Sequence, residues 1–265
     1  MSARRFFRKL AGRKITGLYQ LSTPEIHRAV LEAIENAGHR LNGNCLDIGS
    51  GGGQLLRLIA ARHSLTPYAC DFLNGLMETP GQKVELVDLN RETLPYPADH
   101  FGLVTCIETI EHLENFRAVV REIYRVLKPG GMAVISTPNI LNLRSRLRYF
   151  SSGFYNLFGP LAPEESRLPG PRGHITPVNW FYLAHALVSS GFQNIHATVD
   201  KYQRRSIPAF VFLAIPIRVM DLTVHRRDAR KYQTLNDDNR WAVRLMNSRD
   251  LLLGRTLIVT AAKPA

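Results

Sequence analysis

The residues best placed to do chemistry are three aspartates and a cluster of glycines. The string LDIGSGGGQ (46 to 54) sets glycines at 49, 51, 52 and 53 directly after an apolar run, where backbone can approach a ligand without Cβ atoms in the way. The dinucleotide pattern G-x-G-x-x-G fails in both registers, at Gln54 and at Leu56, and no Gly-Lys-Ser/Thr follows to make a phosphate loop. Asp47 repels a pyrophosphate but suits a ligand with a cation at that end, such as an amino acid ammonium. Asp71 closes the next apolar run, where a carboxylate can accept two hydrogen bonds from ribose hydroxyls. Asp88 stands at the end of a third, placed to meet the polar edge of a base. Three carboxylates at three successive strand ends describe a phosphate-free nucleoside carrying a positive tail.

Two histidines are candidates for proton transfer, since imidazole titrates near neutral pH. His112 follows Glu111 just past the fourth apolar run, and His174 sits in RGHITP (172 to 177). Glu108 and Glu111 can position an acceptor or bind an ion, or can simply begin a solvated helix. Cys45, Cys70 and Cys106 have no Cys-x-x-Cys or Cys/His spacing and read as small core residues of a reducing compartment, so no metal is expected.

The elements that must carry these groups alternate. Ser22 and Glu25 form an expected capping box with Pro24 in the first turn, and Ile26, Val30, Leu31 and Ile34 follow at helical spacing. Strands are expected at Cys45–Ile48, Thr66–Asp71, Lys83–Val87, Phe101–Ile107 and Met132–Ser136. Helices follow the glycine loop through Ile59 and run from Phe116 to Leu127, where Pro129 and Gly130 stop them. Thr176 and Pro177 are expected to open a further helix, before strands at Phe192–Val199 and Arg255–Ala261. Alternation of this kind implies a doubly wound α/β fold with a mostly parallel sheet. About fifty residues separate the last two strands, so 201–250 is expected to be an insertion, basic and apolar, within a domain over 22–265.

Composition bounds the rest. The 265 residues, 45% hydrophobic and 21% charged, fit a soluble globular chain and exclude disordered, collagenous and membrane-embedded classes. The net charge of +12 divides into +5 over residues 1–43, −3 over 44–135 and +10 over 136–265. Basic ends attract nucleic acid, anionic lipid or phosphorylated substrates. Phe6 and Phe7 among Arg4, Arg5, Arg8 and Lys9 in the basic extension 1–21, and Ile207–Met220 ahead of Arg226 and Arg227, place apolar groups beside cations, an interfacial pattern. The run Ile207–Ile217 is itself too short to span a bilayer. No secretory leader is read at the N-terminus, so the expected location is cytoplasmic, peripheral on the inner face of a membrane.

In these motifs the chain resembles the class I S-adenosylmethionine-dependent methyltransferases over most of residues 22 to 200, on the small-molecule, quinone-biosynthesis-like (type 11) branch. The acidic-x-G-x-G-x-G motif is matched by Asp47, Gly49, Gly51 and Gly53, the ribose acid by Asp71 with Phe72 beside it, and the adenine acid by Asp88 with Leu89. LPYPADHFGLVTCIETIEHL (94 to 113) resembles the fourth-strand motif, which brings Cys106 among the cofactor contacts, and LKPGG (127 to 131) the turn before strand five. The resemblance implies a Rossmann-like seven-stranded sheet with its last strand antiparallel, S-adenosylmethionine as cofactor, and His112 and His174 near the acceptor. STPN (136 to 139) departs from the signature of nucleic-acid amino-methyltransferases. Three functions follow in order of expectation: O-methylation of a small-molecule or lipid-linked acceptor at a membrane surface, RNA methylation, and a non-catalytic cofactor-binding partner protein.

Overall fold

The computed structural model describes residues 22–38, 41–73, 75–163 and 173–265; the basic extension 1–21 lies outside them. Seven strands, β1 (Asn44–Ile48), β2 (Thr66–Asp71), β3 (Val84–Leu86), β4 (Phe101–Ile107), β5 (Leu127–Pro138), β6 (Gln193–Val199) and β7 (Thr256–Ala262), form one sheet in the order β3-β2-β1-β4-β5-β7-β6. β7 pairs antiparallel with both neighbours, and β1 to β5 are parallel. The chain order reverses between β1 and β4. That switch point opens a crevice at the carboxyl edge, where open α/β sheets bind ligands.

Period-two alternation sends side chains to two cores. Leu46, Ile48, Val104 and Cys106 pack under α3 (Phe116–Val126) and α5 (Trp180–Ser189). Cys45, Leu103 and Ile107 face α1 (Pro24–Asn36) and α2 (Gln54–Arg62) on the other side. Every residue of β4 is buried, as a strand covered on both faces requires.

Three boundaries differ from the sequence expectation. Thr23, not Ser22, caps α1. The Ser22 hydroxyl turns to His27 Nε2 at 2.6 Å, and Thr23 Oγ1 accepts from Arg255 Nη2 at 2.8 Å. α5 begins at Trp180 behind the cap Asn179, whose side chain accepts from Tyr182 N, while the Thr176 hydroxyl donates to Leu113 O instead. β5 runs back through KPGG to Leu127. Gly130, at φ 76°, takes up a ladder irregularity and donates its N–H to Lys263 O.

Segment 201–250 is helical: α6 (Ile207–Arg227) continues into a π turn at Asp228–Tyr232, then α7 (Asp237–Leu245) and α8 (Arg249–Leu253). The eleven-residue apolar run is thus the front half of a 21-residue helix. α7 returns to the body, where Trp180 Nε1 donates to Ala242 O at 2.8 Å. α4 (Leu143–Ser152) joins it through Arg146, which donates to Leu141 O, Asn247 Oδ1 and Met246 O.

Candidate active site

The glycine loop turns directly off β1. Gly49, Gly51 and Gly53 hold φ of 71°, 49° and 76°, a left-handed run that side chains resist. Space reinforces the requirement: a Cβ on Gly49 would sit 2.3 Å from Thr109 Oγ1, and one on Gly53 2.5 Å from Met77 Sδ. Gly49 and Ser50 donate their N–H groups to Cys70 O, which ties the loop to β2.

Two acids straddle this loop, both buried. Asp47 accepts from Thr105 Oγ1 of β4 at 2.7 Å, across the switch point. Burial pushes its carboxyl up to about 7, against the Thr105 hydrogen bond, and Asp71 raises it further. Asp71 accepts the N–H of Gly51 at 2.8 Å and of Leu73 at 2.9 Å, one on each oxygen. It therefore clamps the loop, and each oxygen keeps a second lone pair for a ligand hydroxyl. Burial raises the Asp71 carboxyl as well.

Among the described residues no lysine or arginine pairs with either acid. The Ser50 hydroxyl between them is buried without a hydrogen-bond partner. Two carboxylates and an orphaned hydroxyl around a glycine loop fit a ligand with a cationic amine and sugar hydroxyls, and they do not fit a phosphate. S-adenosylmethionine has those groups.

The remaining expected contacts divide. Phe72 is 48% exposed beside Asp71, as an aromatic wall needs to be. Asp88 and Leu89 follow β3 and are partly buried. The Asp88 carboxylate accepts the Asn90 N–H at 3.1 Å and faces Arg91 at 3.6 Å, so much of its capacity goes to its own turn. Cys106 is wholly enclosed in the core beneath α3 and α5, so its side chain offers no surface to the cleft. Ser50 and Thr105 are polar groups at the loop that the spacing of the acids does not single out. The first is the polar residue inside the glycine string, and the second emerges only when β1 and β4 come into register.

Above β4 the two histidines meet. Their ring centroids lie 4.7 Å apart at 67°. His112 Nδ1 is 3.0 Å from Gly173 O, and since a carbonyl only accepts, Nδ1 carries the proton and Nε2 keeps its lone pair. Glu111 O accepts from the N–H groups of Ile175 and Thr176, which zips the His174 loop against the turn Ile110–His112. Burial lowers both imidazoles, His174 to about 4 with His112 contributing. Burial thus disfavours the charged form of both rings, and the Nε2 lone pair that His112 keeps is what makes it a candidate proton acceptor.

Two glutamates complete the wall. Glu108, at φ 50°, accepts from Ser136 Oγ at 3.0 Å, and burial pushes its carboxyl up to about 7. Glu111 is fully buried and its carboxyl is held well above the ordinary range by burial and then by Glu108. Its Oε1 lies 3.8 Å from His174 Nε2. Ligand atoms of Glu111, His112 and His174 fall within 4.8 Å of one another, close enough to share a metal ion, which sequence spacing did not suggest. Beside His174 opens a cleft of about 450 Å³ walled by Tyr149, Phe154, Tyr155, Phe158 and Pro177.

Comparison with known proteins agrees with this architecture. The ubiquinone biosynthesis O-methyltransferase of Pseudomonas putida is 33% identical over 117 residues, 41% of this chain and 48% of that protein. The enzyme of the same name from Dechloromonas aromatica is 37% identical over 118 residues, with the same coverage. The chain thus spans about half the length of the curated relatives it matches. Among solved structures, a SAM-dependent methyltransferase from Archaeoglobus fulgidus superposes with TM-score 0.56 at 16% identity, over 97% of this chain and 100% of that one. Phosphoethanolamine N-methyltransferase 2 of Haemonchus contortus, solved with S-adenosyl-L-methionine, gives 0.51 at 18% identity, over 90% and 53%. These two show the shared fold. A methyltransferase-domain family model matches residues 20–197. With that match over most of its length, on a seven-stranded sheet bearing an acid-flanked glycine loop, the chain belongs to the methyltransferase domain family, in the class I S-adenosylmethionine-dependent fold.

Proposed function

We propose that this chain transfers a methyl group from S-adenosylmethionine to an oxygen of a small-molecule or lipid-linked acceptor, at the cytoplasmic face of a membrane. The observation that carries the reading is the pair of buried carboxylates Asp47 and Asp71 around the glycine loop, with no lysine or arginine partner among the described residues. When bound, S-adenosylmethionine supplies an electrophilic methyl on a sulfonium.

The residues of the chain do the rest. Asp47, once ionised, holds the ammonium end, while Asp71 receives ribose hydroxyls and keeps the loop in shape. Phe72 provides an apolar wall, with Asp88 and Leu89 at the third strand end. His112 Nε2 takes the proton from the acceptor hydroxyl, and His174 packs the ring in place from the side, in contact with Phe158 at 5.2 Å. The aromatic cleft beside them excludes water and suits a ring-bearing or apolar acceptor. The relatives from Pseudomonas putida and Dechloromonas aromatica are ubiquinone biosynthesis O-methyltransferases, which supports oxygen as the nucleophile.

Calorimetric titration with S-adenosylmethionine tests the first half. Saturable binding that Asp71→Ala weakens is expected, and binding indifferent to that change overturns it. Incubation with radiolabelled methyl donor and fractionated lysate tests the second half. Label is expected in the lipid or small-molecule fraction. Label confined to RNA would favour the nucleic-acid reading, and cofactor binding without transfer to any fraction would favour a non-catalytic partner protein.

A further inference from the structure

The helix α6 gathers eight of the exposed large apolar side chains of the described residues onto one element. None of its 21 residues is buried. From Arg204 to Tyr232 it is long and apolar enough to cross a bilayer, by length and composition. Buried core helices pass the same test, but this one is wholly outside the core. Val211, Phe212, Ile215, Val219 and Leu222 recur at i, i+1, i+4, i+8 and i+11, which puts them on one stripe. That stripe faces outward: Phe212 is 76% and Ile215 72% exposed. An amphipathic helix of a water-soluble domain turns such a stripe inward.

Both ends of the helix are fastened to one body. Ahead of it, Tyr202 bridges Gly254, Gln203 N donates to Leu253 O, and Ser206 is buried. Toward its far end Asp221 Oδ1 accepts from Asn247 Nδ2 at 2.6 Å, and Asn247 is gripped by Arg146. The link 233–236 then returns the chain to α7 on the body. A helix tied this way lies along the domain and cannot carry its two ends to opposite sides of a bilayer.

Charge names the occupant. Arg204 and Arg205 precede the stripe, and Arg226, Arg227, Arg230 and Lys231 follow it, all exposed. Among the described residues none of them has a carboxylate partner. Asp221 is turned toward the body, where it meets Asn247, and also pairs with His225 one turn on along the same helix. A second copy of the chain laid on this face would set cation against cation at both ends, whereas anionic headgroups neutralise them.

We infer that α6 is an in-plane membrane anchor, its apolar stripe sunk to the acyl boundary of an anionic phospholipid bilayer and its cationic ends on the headgroups. The segment lies beyond residues 20–197, so the inference concerns what this chain adds to the family domain. It deepens the membrane-surface part of the function proposed above, and its test requires no methyl transfer.

The full chain is floated on sucrose gradients with phosphatidylcholine vesicles, with and without phosphatidylglycerol. Wild type is expected to float with the anionic vesicles, and Phe212→Glu/Ile215→Glu to lose at least about tenfold in bound fraction. Because both side chains already face out, the double variant should fold, and unchanged calorimetric binding of S-adenosylmethionine verifies that independently. Arg226→Glu/Arg227→Glu should remove most of the dependence on anionic lipid and salt. Wild type that stays at the bottom of every gradient, or a Phe212→Glu/Ile215→Glu protein that floats as well as wild type, overturns the anchor. So does sedimentation showing a dimer that this pair of substitutions dissolves while vesicles leave it intact.

Discussion

The cleft at the carboxyl edge of the sheet and the α6 segment offend opposite rules. The cleft hides two carboxylates and a hydroxyl from water, and among the described residues no cation meets them. The helix shows water an apolar stripe that no surface among the described residues covers. Each arrangement is costly in the isolated chain and is relieved by a different guest, a cationic nucleoside in one case and a bilayer in the other. Function here is written where the folded state is locally least comfortable.

The comparison predicts that each region can be damaged with little effect on the other. The largest effect is expected at His112. His112→Ala should lower kcat by about a hundredfold to ten-thousandfold once the acceptor is in hand, with cofactor affinity and vesicle flotation unchanged. A loss expressed only in the Kd for S-adenosylmethionine would move His112 from proton transfer to cofactor binding.

Asp47→Asn should weaken cofactor binding by about a hundredfold in calorimetry, since a buried ammonium loses its counter-ion. The same substitution should stabilise the ligand-free protein at alkaline pH. The carboxyl of Asp47 keeps its proton up to about 7 in the folded chain against 3.8 without burial, so its contribution to stability is lost as pH rises between those values. Asparagine escapes that loss, and its thermal midpoint should exceed wild type by about 5 °C at pH 8 and match it near pH 4.

The same titration sharpens the binding claim. A cationic ligand pairs with the ionised carboxylate only, so wild-type affinity should fall about tenfold per pH unit below about 7. Asp47→Asn should flatten that slope, and flotation should not follow it. A wild-type affinity constant from pH 5.5 to 8 would contradict the cationic pairing.

The smallest effect tests the join between the regions. Arg146 spans α4 and the loop after α7 through two hydrogen bonds, to Asn247 Oδ1 and Met246 O, and donates a third to Leu141 O beside α4. Arg146→Met should cost about 2 kcal/mol in global stability and accelerate amide exchange over 237–253. Cofactor affinity should stay put. A change in affinity would mean that the C-terminal segment is coupled to the cleft, and that the two regions are not independent.

Strands were legible where apolar runs were uninterrupted and edged by turns: Thr66–Asp71 and Phe101–Ile107 emerge with the expected bounds. Capping was less legible, because local patterns compete with distant partners. Thr23 takes the N-cap position in place of Ser22, with Arg255, just ahead of β7, on its hydroxyl, and Asn179 caps α5 while the Thr176 hydroxyl donates to Leu113 O. Cys106 shows the limit of motif transfer. It lies on the strand that lines the cleft, but the pleat turns its side chain to the core.

By itself the sequence determined the alternating α/β order, the glycine loop and the three strand-end acids, since all of these are local: period, turn chemistry and charge within a few residues. The tertiary structure alone decided what met what. It set Thr105 against Asp47, brought the His174 loop over His112, spent much of Asp88 on its own turn, and left α6 outside the core with both ends tied down. Those pairings depend on strand register and on how distant segments return to one body, and no window of sequence contains either.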